Sequence, residues 1–448
     1  MSQIATIIRN ATVINEGVSF HSDILIENNV ISKIAPNITV SFACNEINAE
    51  GKILMPGVID DQVHFREPGL TYKADIYSES RAALIGGVTS FMEMPNVNPQ
   101  TTTIELLEEK MAIAAKNSAV NYSFFLGATN QNIEELKKIN TENTCGVKIF
   151  MGSSTGDMLV DDGGTLNQIF KNVPALIATH CECETRVKER LEQSKSDFPS
   201  GIPANHHPII RDEIACYLSS SLAIDLAKKY GTRLHILHIT SASETSLFQN
   251  NVPLEQKLIT SEVCVHHLHF TDNDYQTLKH QIKCNPSIKS QKDNDALWVA
   301  LLDDRLDIIA TDHAPHSKEE KLDDDYLKCH AGLPLVQHSL LLMLQKVQDG
   351  RLSIEKMVEK MCHAPAVCFR MINRGFIREG YFADLVLIDP KKHTTVSSEN
   401  IAYKCGWSPL EGTTFQNAID KVWVNGTLSL DNGNVLELNP MRLRFKAL

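Results

Sequence analysis

Apolar and polar residues alternate with period two at both ends of the chain. Near the start, "ATIIRNATVI", "DILIENNVISKI" and "GKILMP" read as strands, with Glu27, Asn28 and Asn29 supplying a turn. Near the end, "ADLVLID", "KVWVNG" and "GNVLELN" read the same way, punctuated by Gly, Asn and Pro. The two ends, residues 1–55 and 378–448, are therefore expected to pair into one β-sandwich-like accessory domain.

Over residues 56–377 the pattern changes. Apolar runs of strand length alternate with amphipathic helical stretches, which is the signature of βα units around a parallel sheet. Strands are predicted near 56–64, 88–94, 119–126, 145–151, 175–180, 233–240, 256–264 and 306–311. Thr102, with Glu105 three residues on, reads as a capping box before "LLEEKMAIAAK". Residues 208–230 read as one helix stopped by Gly231. Eight such units predict an α/β chain centred on a closed (β/α)8, TIM-like barrel. No Gly-rich fingerprint follows the first of these strands, which excludes a dinucleotide-binding fold.

A chain of 448 residues is long enough for a large barrel with an accessory domain, and 43% hydrophobic with 22% charged residues suits a large core. The net charge of −12 argues against a nucleic acid or an anionic membrane as partner, since both need a basic face. Eleven cysteines, odd in number and without a CxxC pair, read as reduced thiols of a cytoplasmic protein. Residues 1–15 read as a strand rather than a signal peptide. No apolar run approaches the ~18 residues of a membrane span.

Barrel enzymes place their chemistry at the C-terminal ends of the strands. Asp60, Gln62 and His64 share the inward face of the first strand by the period-two rule. Lys148 stands in the apolar run "CGVKIFMG", His180 ends "LIATH", His238 closes "LHILHI", and Asp312 follows "IIAT". Each has an ordinary reading alone: a hydrogen-bonded loop histidine, a snorkelling lysine, a capping aspartate. Together they put His, Lys, His, His and Asp on one rim, which packing needs do not explain. Imidazole and carboxylate bind zinc and similar cations, and a buried neutral lysine can add carbon dioxide to become a bridging carbamate. Metal of this kind acidifies water and polarises an amide, while a neighbouring Asp moves the proton. The charged block 317–328, just past a strand end, reads either as a solvated loop or short helix or as a mobile loop over the site.

"PGVIDDQVHFREPG", "MEMPNVNP", "VKIFMGSSTG", "THCECE", "LHILHITSA", "CNPSIKS", "IATDHAPH" and "AGLPLVQ" occur in this order. In them the chain resembles the amidohydrolase superfamily and, within it, the dihydroorotase family, over essentially its whole length. The resemblance implies Zn2+, one or two ions per chain. One would be held by N-carboxylated Lys148, His180 and His238, the other by His64, the same carbamate and Asp312. Asp312 would also be the general acid/base. Arg66, Asn96 and His316 would grip a substrate carboxylate, and Asn285 with the backbone at Ala331 and Gly332 would hold the ring edge. The implied reaction is the reversible closure of N-carbamoyl-L-aspartate to L-dihydroorotate, in pyrimidine biosynthesis, and the implied assembly is a homodimer.

One position departs: Gln62 stands where the family has a histidine, and an amide oxygen is a poorer zinc ligand than imidazole. The second metal is expected to be the weaker. Two other readings stay open. One is a related cyclic amidohydrolase, such as a dihydropyrimidinase, hydantoinase or allantoinase. The other is a non-catalytic relative associated with aspartate transcarbamoylase, towards which only Gln62 points.

Overall fold

The computed structural model describes residues 4–152 and 158–447. Residues 153–156 of the quoted Lys148 segment and residues 1–3 of the first strand lie outside the described residues.

The N-terminal strands are β1 (Thr6–Asn15), β2 (Val18–Glu27), β3 (Val30–Ala35), β4 (Asn45–Asn48) and β5 (Ile53–Pro56). The turn at Asn28 holds φ 55°, a left-handed conformation that asparagine tolerates better than most residues. Eight barrel staves follow: β6 (Val58–Val63), β7 (Val88–Glu93), β8 (Asn121–Phe124) continued by β9 (Leu126–Gly127), β10 (Val147–Phe150), β11 (Ile177–His180), β12 (Leu234–Ile236), β13 (Ile259–Cys264) and β14 (Ile308–Ala310). The chain ends with β15 (Leu385–Asp389), β16 (Thr394–Thr395), β17 (Thr414–Phe415), β18 (Ala418–Val424), β19 (Thr427–Asp431) and β20 (Asn434–Val435).

Each stave pairs in parallel with the next. The β8/β9 kink is bridged by Phe125 N–H donating to the Glu93 carbonyl at 3.0 Å. A parallel bridge between Val63 and His313 closes the ring. All eight predicted staves form, and the fold is the α/β barrel expected from the pattern. The staves are buried on both faces, so local twist and helix cover rather than alternation set their limits.

Both chain ends join edge to edge in one sheet of order β20-β19-β18-β15-β5-β1-β2-β3, with β4 on β1. The seam between the ends is β15 on β5, antiparallel. Its own core includes Ile8, Val13, Leu54, Leu385, Leu387 and Trp423, all fully buried. Past β20 the chain runs back to the barrel: Leu443 N–H donates to the Tyr122 carbonyl at 2.9 Å, and Met371 bridges Phe445.

Two helix expectations are corrected. The helix Ile104–Asn117 is capped by Thr103, whose side chain accepts from Leu106 N–H, and not by the Thr102–Glu105 box. Residues 208–230 form two helices, His207–Ile210 and Glu213–Tyr230. Asp212 breaks them apart because its carboxylate caps the second by accepting from Ala215 N–H at 3.0 Å. The stop at Gly231, φ 69°, stands as expected.

Candidate active site

The strand ends converge on a cavity of about 430 Å³ at the C-terminal face of the barrel. Gln62, His64, Arg66, Asn96, Lys148, His180, His238, Asn285, Asp312, His316, Ala331 and Gly332 all line it. Every site residue expected from the sequence is thus brought to one place.

The barrel seam sets the position of Asp312. Thr311 Oγ1 donates to Asp60 Oδ2 at 2.6 Å, tying β14 to β6, and Asp312 leaves β14 in a left-handed turn at φ 47°. His238 leaves β12 in a similar turn at φ 41°. Its N–H donates to Glu262 Oε1 at 3.1 Å. Below it Asp61 and Glu262 flank His235 at 3.3 and 3.2 Å. Burial alone would lower the His235 pKa, but the two acids raise it to about 9, so the ring is a cation that makes this buried acidic floor tolerable.

Hydrogen bonds orient the histidine rings. His180 Nε2–H donates to Glu182 Oε2 at 3.0 Å, which leaves Nδ1 to face His238 Nε2 at 3.0 Å. Burial opposes the charge on Glu182, yet Arg211 pairs with it and its pKa falls to about 2. His64 Nδ1–H donates to Asn96 Oδ1 at 2.8 Å, so the lone pair on Nε2 faces Asp312 Oδ1 at 3.1 Å. Burial lowers the pKa of His64, His180 and His238, which favours neutral imidazole, the ligand form.

Lys148 is buried, with Nζ 4.6 Å from the centre of the Phe150 ring. Burial lowers its pKa to about 8, and Asp312 and Glu262 oppose this only through space. Among the described residues no carboxylate reaches ion-pair distance of it.

These are the features of a metal centre. Ring nitrogens and a carboxylate point lone pairs at one another across about 3 Å, a repulsive arrangement that a cation relieves. The opposite ring nitrogens of His64 and His180 are held by polar groups, as ligating histidines usually are. His238 Nδ1 is buried without a partner among the described residues. The His180–His238 pair at 3.0 Å and the His64–Asp312 pair at 3.1 Å each offer two donor atoms that one ion could share. Gln62 does not offer its oxygen there: its Nε2 donates to Asp312 Oδ1 at 3.1 Å, and Oε1 faces Cys264 Sγ at 3.8 Å.

Arg66, His316 and Lys73 line the same cavity. Arg66 donates through Nε to the Pro315 carbonyl at 3.1 Å and places Nη2 3.1 Å from His316 Nε2. Gly332, at φ 142°, passes so close that an added Cβ would lie 2.4 Å from the Ala314 carbonyl oxygen. Sequence reasoning missed Tyr72, Lys73 and His330, which also line the cavity. Lys73 Nζ lies 3.1 Å from His316 Nδ1 and 3.0 Å from Glu320 Oε1. A lysine two residues beyond "REPGLT" was the only available signal, and it is a weak one. Within 317–328, Lys318–Lys321 forms a short helix whose Lys321 is fully buried, donating to the Lys283 and His330 carbonyls. Part of that block is therefore neither solvated nor free of the site.

Barrel, rim donors and the cavity between them define the class: an enzyme that hydrolyses amides with the help of bound metal. Residues 53–429 match the model of the amidohydrolase family. The chain is 32% identical to a dihydroorotase of Methanosarcina acetivorans over 91% of its own length and 87% of the relative's. It is 30% identical to an allantoinase of Solibacter usitatus over 96% and 94%. The solved structure of an L-hydantoinase (dihydropyrimidinase) from Arthrobacter aurescens superposes with a TM-score of 0.92 at 27% identity, covering 97% of this chain and 98% of that one. The chain belongs to the amidohydrolase family and is a metal-dependent cyclic amide hydrolase.

Proposed function

We propose that the chain is a dihydroorotase, interconverting L-dihydroorotate and N-carbamoyl-L-aspartate. The observation that carries this reading is Arg66, buried in the cavity lining with no carboxylate at ion-pair distance among the described residues. A free carboxylate on the substrate ring gives it a partner, and a guanidinium suits that partner by charge-assisted hydrogen bonds.

The metal we assign is zinc, held as described by His180, His238, His64, Asp312 and Lys148 in its N-carboxylated form. A buried lysine with pKa about 8 has an appreciable neutral fraction near pH 7.5, and only the neutral amine adds carbon dioxide. When bound, the metal supplies a Lewis acid for the ring carbonyl and lowers the pKa of water. The chain's own groups do the rest. Arg66 and His316 hold the carboxylate and fix the ring's orientation. Asn285, whose Oδ1 is buried without a partner among the described residues, and the backbone at Ala331 and Gly332 hold the ring edge. Asp312 accepts the proton of the attacking water as the C–O bond forms. It then delivers that proton to the ring nitrogen as the C–N bond breaks, and the reverse sequence closes the ring with loss of water.

The identity to the Solibacter allantoinase favours a second reading, allantoin hydrolysis. Allantoin has no carboxylate, so Arg66 would face it with its charge unmatched. Turnover of L-dihydroorotate, allantoin and an L-substituted hydantoin by the purified chain, with zinc added and with zinc stripped, tests the two. Zinc-dependent turnover of L-dihydroorotate above the others is expected. Preference for allantoin or the hydantoin, by a chain with its metal sites filled, would refute the assignment.

A further inference from the structure

A second cavity, of about 340 Å³, opens on the opposite, N-terminal face of the barrel. Arg233, which lines it, immediately precedes β12, and Lys257 lies two residues before β13; the active site lies past the other ends of these strands. Six cationic side chains line this cavity against one carboxylate, that of exposed Glu255, in a chain of net charge −12.

Three of the six cations have counter-charges. Lys257 lies 2.6 Å from Asp307 Oδ1, Arg374 pairs with Asp384, and Arg378 pairs with Glu16. The other three, Arg233, Arg370 and Lys446, have no carboxylate within ion-pair distance among the described residues. Backbone contacts hold them together. Arg233 donates through Nη2 to the Cys368 carbonyl, and Lys446 N–H donates to the Arg370 carbonyl at 2.9 Å. Arg370 holds φ 55°, a conformation that costs a non-glycine residue energy and recurs at ligand sites. Burial and the nearby Arg370 lower the Arg233 pKa to about 10, a sign of like charges in a partly dry space. Such a cluster destabilises the free chain and is relieved by an anion.

We infer that this cavity binds a small polyphosphorylated molecule, with Arg233, Arg370 and Lys446 as its anion clamp. One carboxylate would neutralise one of the three charges. A phosphoryl group carries about −1.5 to −2 at pH 7 with three acceptor oxygens, so two linked phosphoryl groups match all three cations. Guanidinium forks suit those oxygens. Leu254, Met371, Phe376 and Tyr381 line the same cavity and offer an apolar surface to an attached organic group.

Calorimetric titration of the full chain with inorganic pyrophosphate, and with citrate as a carboxylate polyanion, tests this. One pyrophosphate per chain is expected, with affinity falling as salt rises. The Arg370→Gln/Lys446→Gln double variant should weaken it by about tenfold per charge removed. Arg370→Lys, which keeps the charge, should retain most of the affinity. Neither variant touches the active-site cavity, so a melting temperature no lower than wild type and an unchanged metal content establish that each is folded. Absence of binding at millimolar pyrophosphate, equal binding by the double variant, or equally tight citrate binding would each overturn the assignment.

Discussion

Asp312 and Gln62 meet at one oxygen, Asp312 Oδ1, which accepts from the Gln62 amide at 3.1 Å and faces His64 Nε2 at 3.1 Å. Asp312→Asn keeps the shape of the side chain but removes its ability to carry the proton. A fall in kcat of about 1,000-fold is expected, with the fold retained. Steady-state kinetics beside circular dichroism checks this, and near-normal turnover would take Asp312 out of the mechanism. Gln62 presents an N–H where a ligand would need a lone pair. Gln62→His is therefore expected to tighten the second metal, read as a lower Kd in competition with a chromophoric chelator. An unchanged affinity and stoichiometry would show that Gln62 does not weaken the site.

At the scale of elements, the helix Glu213–Tyr230 shows how a single cap places catalytic geometry. Asp212 begins it, and Arg186 Nε donates to Asp212 Oδ1 at 2.8 Å, while the adjoining Arg211 pairs with Glu182, the partner of His180. Asp212→Ala removes the cap and the ion pair and should cost about 1–2 kcal/mol in chemical denaturation. Burial opposes the Asp212 charge, but Arg186 and the Ala215 N–H outweigh it, so the folded pKa lies below 3.8. A carboxylate whose pKa falls on folding stabilises above its unfolded pKa, and that contribution is lost as pH drops through the folded value. The gap between wild type and variant should therefore narrow as pH falls from 7 towards 3. A gap of constant size would assign the effect to something other than the carboxylate.

At the scale of the molecule, barrel and end sheet are bound together by segments far apart in sequence. Leu443 is fully buried against a cluster that includes Phe125, Phe369, Met371 and Phe445, while its N–H extends the edge at Tyr122. Leu443→Ala should cost about 3 kcal/mol by loss of burial and an unfilled cavity. Thermal denaturation reads this as a lower Tm, with the metal content of the folded chain unchanged. A Tm within a degree or so of wild type would mean the tail contributes little to the barrel's stability.

The sequence by itself determined the barrel and the residues on its rim. Strand and helix periods are local properties, and eight repeats of one period followed by the other leave little choice of topology. His64, Lys148, His180, His238 and Asp312 were legible because a polar residue at the end of a buried strand has few places to point. Tertiary structure decided what depends on distant neighbours. Asp212 became a cap, and so a helix break, because its carboxylate met Ala215 N–H and Arg186 together, and Thr103 displaced Thr102 because only its side chain reaches Leu106 N–H. Lys73, Tyr72 and His330 joined the cavity because loops 240 or more residues apart fold over the same strand ends. The direction of the Gln62 amide followed from Asp312, 250 residues away. A hydrogen bond across such a separation leaves no periodic trace in the chain, so it becomes visible only once the barrel has closed.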